Sequence, residues 1–269
     1  MISLKRNSKG EIQLAKGKRV RQSSMYTPGQ NSAFKISRSK FSDFIDCPRC
    51  FYLDRVKGLE SPSVPGWSLN VAVDELLKKE FDIYRDEQKP HPIFNENNLN
   101  FVPYKHTDID KWRDSRTGGI LYEDQNSNLI IHGGVDDIWF DKDTDQLVVA
   151  DYKSQANNKA LDADTYLSDA FKDGYKIQMD FYAFLLIQMG FEVDETAYFL
   201  VCNADREATG FYGEMRFQEA LIPYHWSADW IDAKLHDMIT LLNSTEIPDG
   251  HPSCKNCAYA KRRAEIEAY

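Results

Sequence analysis

Two Cys-x-x-Cys pairs, Cys47-Pro-Arg-Cys50 and Cys254-Lys-Asn-Cys257, stand about 200 residues apart near opposite ends of a 269-residue chain. In a reducing compartment such pairs are metal ligands far more often than disulfides. If the four thiolates share one centre, both ends of the chain return to one place and clamp their segments onto whatever lies between. Ligands this far apart close a very long loop, so a metal bound there contributes directly to folding. Two CxxC pairs suit a tetrahedral Zn²⁺ as naturally as an iron–sulfur cluster. The fifth cysteine, Cys202, sits in the apolar run 198–203 and reads as a buried strand residue.

An apolar content of 42%, with 14 Tyr and 15 Phe, supplies one large domain or a core with a smaller helical lobe. No run approaches 18 apolar residues, which excludes a membrane-spanning helix, and the N-terminus lacks the apolar stretch of a signal peptide. The expectation is a cytoplasmic protein. Charge is distributed unevenly: residues 1–40 carry +9 and the remainder −18, giving the net −9. Residues 1–34 are polar, aperiodic and basic, and are expected to form a flexible arm that gathers phosphates or simply stays solvated; residues 35–269 form the folded domain.

From Ser37 the apolar spacing is helical through Phe41, Phe44, Phe51 and Tyr52, and a second helix is predicted from about Asn70. Residues 86–120 look irregular. Leu129–Phe140 reads as one strand and Gln146–Lys153 as the next, joined by the polar turn Lys142–Asp145. A long helix over Tyr166–Met189, stopped by Gly190, is followed by strands over Thr196–Val201 and Gly210–Phe217. Ser227 is placed to cap a last helix through Trp230, Ile231, Leu235, Met238 and Leu242. The alternation implies an α/β architecture wrapped by terminal segments.

The hairpin carries the sharpest chemistry. A turn centred on Asp143–Thr144 sets Asp136 directly opposite Asp151, where like charges repel unless a cation lies between them. Lys153, two residues on, emerges on the same face as Asp151. Two carboxylates and an amine converging on an apolar sheet make poor packing, but they make a good site for Mg²⁺ or Mn²⁺, with the lysine orienting or activating water. Gln178 and Tyr182, four apart, share one helix face. The six histidines show no metal-ligand spacing, and no phosphate-binding Gly-rich loop or nucleophile elbow is present.

Gly133-Gly-Val-Asp136, Ala150-Asp151-Tyr-Lys153 and Gln178-Met-Asp-Phe-Tyr182, framed by the Phe41–Tyr52 segment and the C-terminal cysteines, resemble the ordered motifs of the RecB-like branch of the PD-(D/E)XK nucleases over roughly residues 37–260. The resemblance implies an αβββαβ restriction-endonuclease-like core with a mixed sheet, wrapped by N- and C-terminal helical segments joined through a four-cysteine centre. It implies divalent-metal phosphodiester hydrolysis of DNA, single-stranded or with free ends, by Asp136, Asp151, Lys153, Gln178 and Tyr182. Exonuclease action in repair, recombination or defence, beside helicase or CRISPR-adaptation proteins, is the corresponding expectation. It also favours a [4Fe–4S] cluster on Cys47, Cys50, Cys254 and Cys257, although Arg263 stands where relatives place their last cysteine and Cys50 is an addition. Asp74 stands where relatives carry a histidine ligand, and an aspartate there would give a hard ion a third carboxylate. A catalytically inactive nucleic-acid-binding protein on the same fold is the alternative.

Overall fold

The computed structural model describes residues 4–62, 66–159 and 161–268. In chain order its elements are a short 3₁₀ turn (Gln22–Ser24), β1 (Phe34–Ser37), α1 (Arg38–Asp46), α2 (Pro48–Arg55), α3 (Ser68–Glu87), α4 (Pro92–Glu96), β2 (Phe101–Pro103), α5 (Ile109–Arg113), β3 (Ile120–Glu123), β4 (Leu129–Gly133) and β5 (Asp137–Asp141). Then follow β6 (Gln146–Gln155), α6 (Ala163–Leu167), a 3₁₀ turn (Ala170–Lys172), α7 (Asp173–Gln188), β7 (Thr196–Ala204), β8 (Phe217–His225), α8 (Ile231–Asn243) and α9 (Lys255–Glu267). They fall into two compact units, one made of residues 67–122 and 132–231, the other of residues 1–66, 123–131 and 232–269.

The first of these units is built on a five-stranded mixed sheet in the order β2-β5-β6-β7-β8. Strand β6 pairs antiparallel with β5 and parallel with β7. β6 lies at the centre and is buried along most of its length, as a run such as Leu147-Val-Val-Ala150 requires when both sheet faces are covered. Alternation then sorts its side chains. Ala150 and Tyr152 join Trp139, Leu200 and Cys202 in an apolar cluster with Leu77 and Phe81 of α3. Asp151, between them in sequence, is met on the other face by Gln178 of α7. Phe81 stacks on Trp139 at 5.6 Å between ring centres. Arg85, at the far end of α3, is buried and reaches Asp137 of β5.

In the second unit, α1 and α2 bury Phe41, Phe44, Phe51 and Tyr52. Tyr52 donates its hydroxyl to the Ser244 carbonyl at 2.8 Å, so the helical segments from the two chain ends are joined here. Asp54, 7% exposed, gathers Arg19, Lys40 and Arg55, and these cations hold its carboxyl below the usual range against the opposing effect of burial. Tyr26 is buried and donates to Asn243. From Arg19 onward the basic segment is held to the rest of its unit, Arg19 by the buried Asp54 and the buried Tyr26 by Asn243.

Several predicted boundaries shift, each for a local reason. Leu129–Phe140 is two strands. The chain breaks over Gly134–Asp136, where a Cβ on Gly134 would lie 2.5 Å from the Ser115 Cα. Residues 86–120 hold α4, β2, α5 and the start of β3, elements too short to show periodicity. The helix predicted over Tyr166–Met189 is α6, a 3₁₀ turn and α7, because the Asp162 and Asp169 side chains accept from the Thr165 and Phe171 amides and restart the chain. Gly190, at φ +90°, follows the end of α7 as expected. The strand predicted over Gly210–Phe217 starts only at Phe217, after a loop with Tyr212 at φ +43°. Ser227 lies outside α8, and its amide donates to Asp180 instead. No helix among the described residues is long and apolar enough to cross a membrane.

Candidate active site and cysteine centre

The β5–β6 register runs from Asp137 opposite Ala150 to Asp141 opposite Gln146. Its continuation sets Asp136 against Asp151, the pairing expected from the turn. The Asp136 Oδ2 accepts the Tyr152 amide at 2.9 Å, which holds this residue at the edge of β6 just beyond the end of β5. Asp151 has no solvent exposure. Its Oδ1 accepts from Gln178 Nε2 at 2.7 Å, and its Oδ2 forms an ion pair with Lys153. Gln178 also donates to the Tyr182 hydroxyl at 3.1 Å, which in turn donates to the Gly134 carbonyl at 2.6 Å. Helix α7 therefore fastens both the break before Asp136 and the carboxylate of Asp151. Gln178 and Tyr182 are themselves buried.

Like charges meet here with few opposite charges between them. Burial, with repulsion from Asp136, pushes the Asp151 carboxyl up to about 7, and Lys153 opposes the shift. Burial alone would lower Lys153, but Asp151 and Asp136 hold it above its ordinary value. Asp74 projects from the first turns of α3. Its Oδ2 accepts from Lys78 at 2.8 Å, and its Oδ1 is buried with no hydrogen bond. Burial and then the charge of Asp136 raise its pKa, so these two carboxylates lie close enough to repel. Asp136 and Lys153 each act on both Asp74 and Asp151, so these four charges neighbour one another in turn. The hard oxygen donors, one of them orphaned, fit a small divalent cation.

Sequence reasoning missed Asp137, next to Asp136 and on the opposite face. It is fully buried, and accepts from Arg85, the Ile138 amide, the Tyr152 hydroxyl and the Trp139 indole. The period of two separates neighbouring aspartates in this way and was the available signal. Tyr175 was also missed, although it precedes Gln178 by three residues and so shares its helix face. The Lys153 ammonium sits 4.6 Å from the centre of its ring.

The four paired cysteines meet in the other unit. Cys47 ends α1, Cys50 lies in the first turn of α2 and Cys254 caps α9, whose first turn carries Cys257. All four Sγ atoms lie within 4.8 Å of one another. Individual separations are 3.4 Å (Cys50–Cys257), 3.5 Å (Cys50–Cys254) and 3.8 Å (Cys47–Cys257), far longer than a disulfide bond. Burial works to raise Cys47, but the Cys50 and His251 amides and the neighbouring thiols lower it to about 7. Burial and the other sulfurs push Cys50 far up. Four thiols this close cannot all ionise alone, so the cluster fits a cation that takes them as thiolates. Cys202 is not one of this group and is buried in β7, as expected.

The sequence profile of the PD-(D/E)XK nuclease superfamily matches residues 71–262. A comparison with curated proteins finds no match. The matched span exceeds two thirds of the chain and contains Asp74, Asp136, Asp151, Lys153, Gln178 and Tyr182, and the chain belongs to this superfamily.

Proposed function

We propose that this member of the PD-(D/E)XK superfamily is a divalent-metal-dependent deoxyribonuclease acting on DNA that is single-stranded or has free ends. The observation that carries the reading is Asp151: fully buried, raised towards neutrality, and facing Asp136 with only Gln178 and Lys153 to offset its charge. A structural carboxylate has no use for such neighbours. Asp136, Asp151 and Asp74 would hold Mg²⁺ or Mn²⁺, which supplies Lewis acidity to a phosphodiester when bound. Lys153 keeps its proton beside them, where its ammonium can orient water and offset negative charge on the phosphate. Gln178 and Tyr182, being buried, hold Asp151 and the Gly134 carbonyl in place.

The cysteine centre is proposed to hold one tetrahedral ion, zinc in preference to a [4Fe–4S] cluster. Around one Zn²⁺, with bonds of about 2.3 Å, tetrahedral thiolates stand about 3.8 Å apart; three of the Sγ pairs lie at 3.4–3.8 Å and all four Sγ atoms lie within 4.8 Å of one another, which supports that size. A cubane spreads its thiolates over four irons and holds them wider.

End-labelled single- and double-stranded DNA tests the activity. Cleavage is expected with Mg²⁺ or Mn²⁺ and none in EDTA; undiminished cleavage in EDTA would refute it. Elemental analysis of anaerobically purified protein should give one zinc per chain, whereas iron with sulfide would overturn the single-ion assignment.

A further inference from the structure

Beside Lys153 lies a second set of side chains that the site does not use. Lys172, in the 3₁₀ turn before α7, is half-buried. Its ammonium donates to Gln155 Oε1 at 3.1 Å and lies 4.9 Å from the Tyr166 ring centre and 5.2 Å from that of Tyr175. Tyr175 is the same ring that carries Lys153 at 4.6 Å, so one aromatic ring is shared by two ammonium groups. None of the described carboxylates forms an ion pair with Lys172; the adjacent Asp169 is instead paired with Lys159 at 3.1 Å. Burial, and repulsion from Lys153 and Lys159 against the pull of Asp169, lower Lys172. Lys172 is therefore an ammonium held between two rings without a carboxylate of its own among the described residues.

Two further observations point to a ligand. The Tyr166 residue is 4% exposed, and its hydroxyl is buried without a hydrogen-bond partner, a costly state unless something arrives to accept its proton. Asp151 is among the charges acting on that hydroxyl, which puts it close to the candidate active site. Phe171, next to Lys172, is 90% exposed. An exposed aromatic ring next in sequence to an ammonium with no carboxylate partner supplies the two groups by which proteins hold single strands, the cation on the phosphate and the ring on the base.

We propose that Lys172, the Tyr166 hydroxyl and Phe171 form a nucleotide subsite beside Asp151, which takes one backbone phosphate and stacks on one unpaired base of a single strand. Lys172 and Tyr166 bind the phosphate oxygens, and Phe171 covers the face of the base, which only an unpaired or frayed strand presents. The subsite rests on the nuclease reading for its position but makes its own claim, that the substrate is single-stranded where it enters.

The test is fluorescence anisotropy of the full-length protein with a 5′-labelled single-stranded oligodeoxynucleotide and its duplex over a range of salt. Lys172→Ala should reduce the slope of log affinity against log salt by about 0.7, the value for one phosphate contact on a single strand, while Lys172→Arg should keep it. Phe171→Ala should weaken single-strand binding about tenfold, leave the salt slope unchanged and hardly affect the duplex. Tyr166→Phe should weaken binding without lowering the melting temperature, because the hydroxyl it removes has no partner in the free protein. Wild-type affinity and slope in both Lys172→Ala and Phe171→Ala would overturn the subsite. If the wild type then still cleaves DNA, the nuclease reading survives that loss. If the variants behave as expected but no cleavage occurs, the subsite stands and the nuclease reading falls.

Discussion

Asp137 and Asp151 sit on neighbouring strands with no solvent exposure, yet they are held in opposite ways. Asp137 has donors on both oxygens: Arg85 at 2.6 Å and the Ile138 amide at 2.9 Å on Oδ1, the Tyr152 hydroxyl at 2.7 Å and the Trp139 indole at 3.3 Å on Oδ2. Arg85 is anchored in turn by the Tyr104 carbonyl and Asp82. Asp151 has one amide donor and one lysine, and the carboxylate of Asp136 repels it. A buried charge must be paired to be tolerated. Where pairing is complete the group is structural; where it falls short and like charges converge, the remaining valence is left for something that binds.

The comparison is most exposed at Asp151. Asp151→Asn should reduce cleavage by about 10³-fold or more, the scale of losing a catalytic group, with little change in melting temperature. Steady-state kinetics and thermal melts on one preparation would check it, and a large fall in melting temperature would make Asp151 a second structural carboxylate. The converse substitution, Asp137→Ala, strips Arg85 of its buried partner and should cost about 3–5 kcal/mol in denaturant unfolding, while the molecules that remain folded turn over normally. A lowered kcat with unchanged stability would break the contrast.

A smaller effect follows from protonation. Between the ordinary aspartate value of about 3.9 and about 7, folded Asp151 holds a proton that the unfolded chain has released. Its contribution to the stability of the metal-free protein should therefore decline as pH rises through that window and level off above it. Melting in EDTA at a series of pH values should show a wild-type decline that Asp151→Asn lacks. Parallel curves for the two proteins would remove Asp151 as the source.

The hairpin register was legible because two rules agree: a short polar turn fixes the pairing, and the period of two fixes the face. That was enough to set Asp136 against Asp151 and to bring Lys153 to the same side. The break at Gly134 was not legible, since it depends on a close approach by Ser115 from a distant segment. Nor was the interruption at 168–172, where aspartate side chains compete with the helix for its amides. Asp137 could have been separated from Asp136 by alternation alone, but its role depends on Arg85, 52 residues away. Asp74 was singled out through resemblance alone; its orphaned oxygen is visible only once α3 is folded.

The distance between the two cysteine pairs also sets a timetable. Cys50 precedes Cys254 by 204 residues, and a ribosome adding about 5–20 residues per second leaves the first pair waiting about 10–40 s for the second. Throughout that interval Cys47 and Cys50 are a lone dithiol on a growing chain, open to oxidants and to stray metal ions. The sheet that carries the carboxylates is complete by residue 225, whereas the thiolate clamp can close only after Cys257 has emerged. A cation that needs all four cysteines can therefore be held there only once Cys257 has emerged, and the vulnerable period is the one before it.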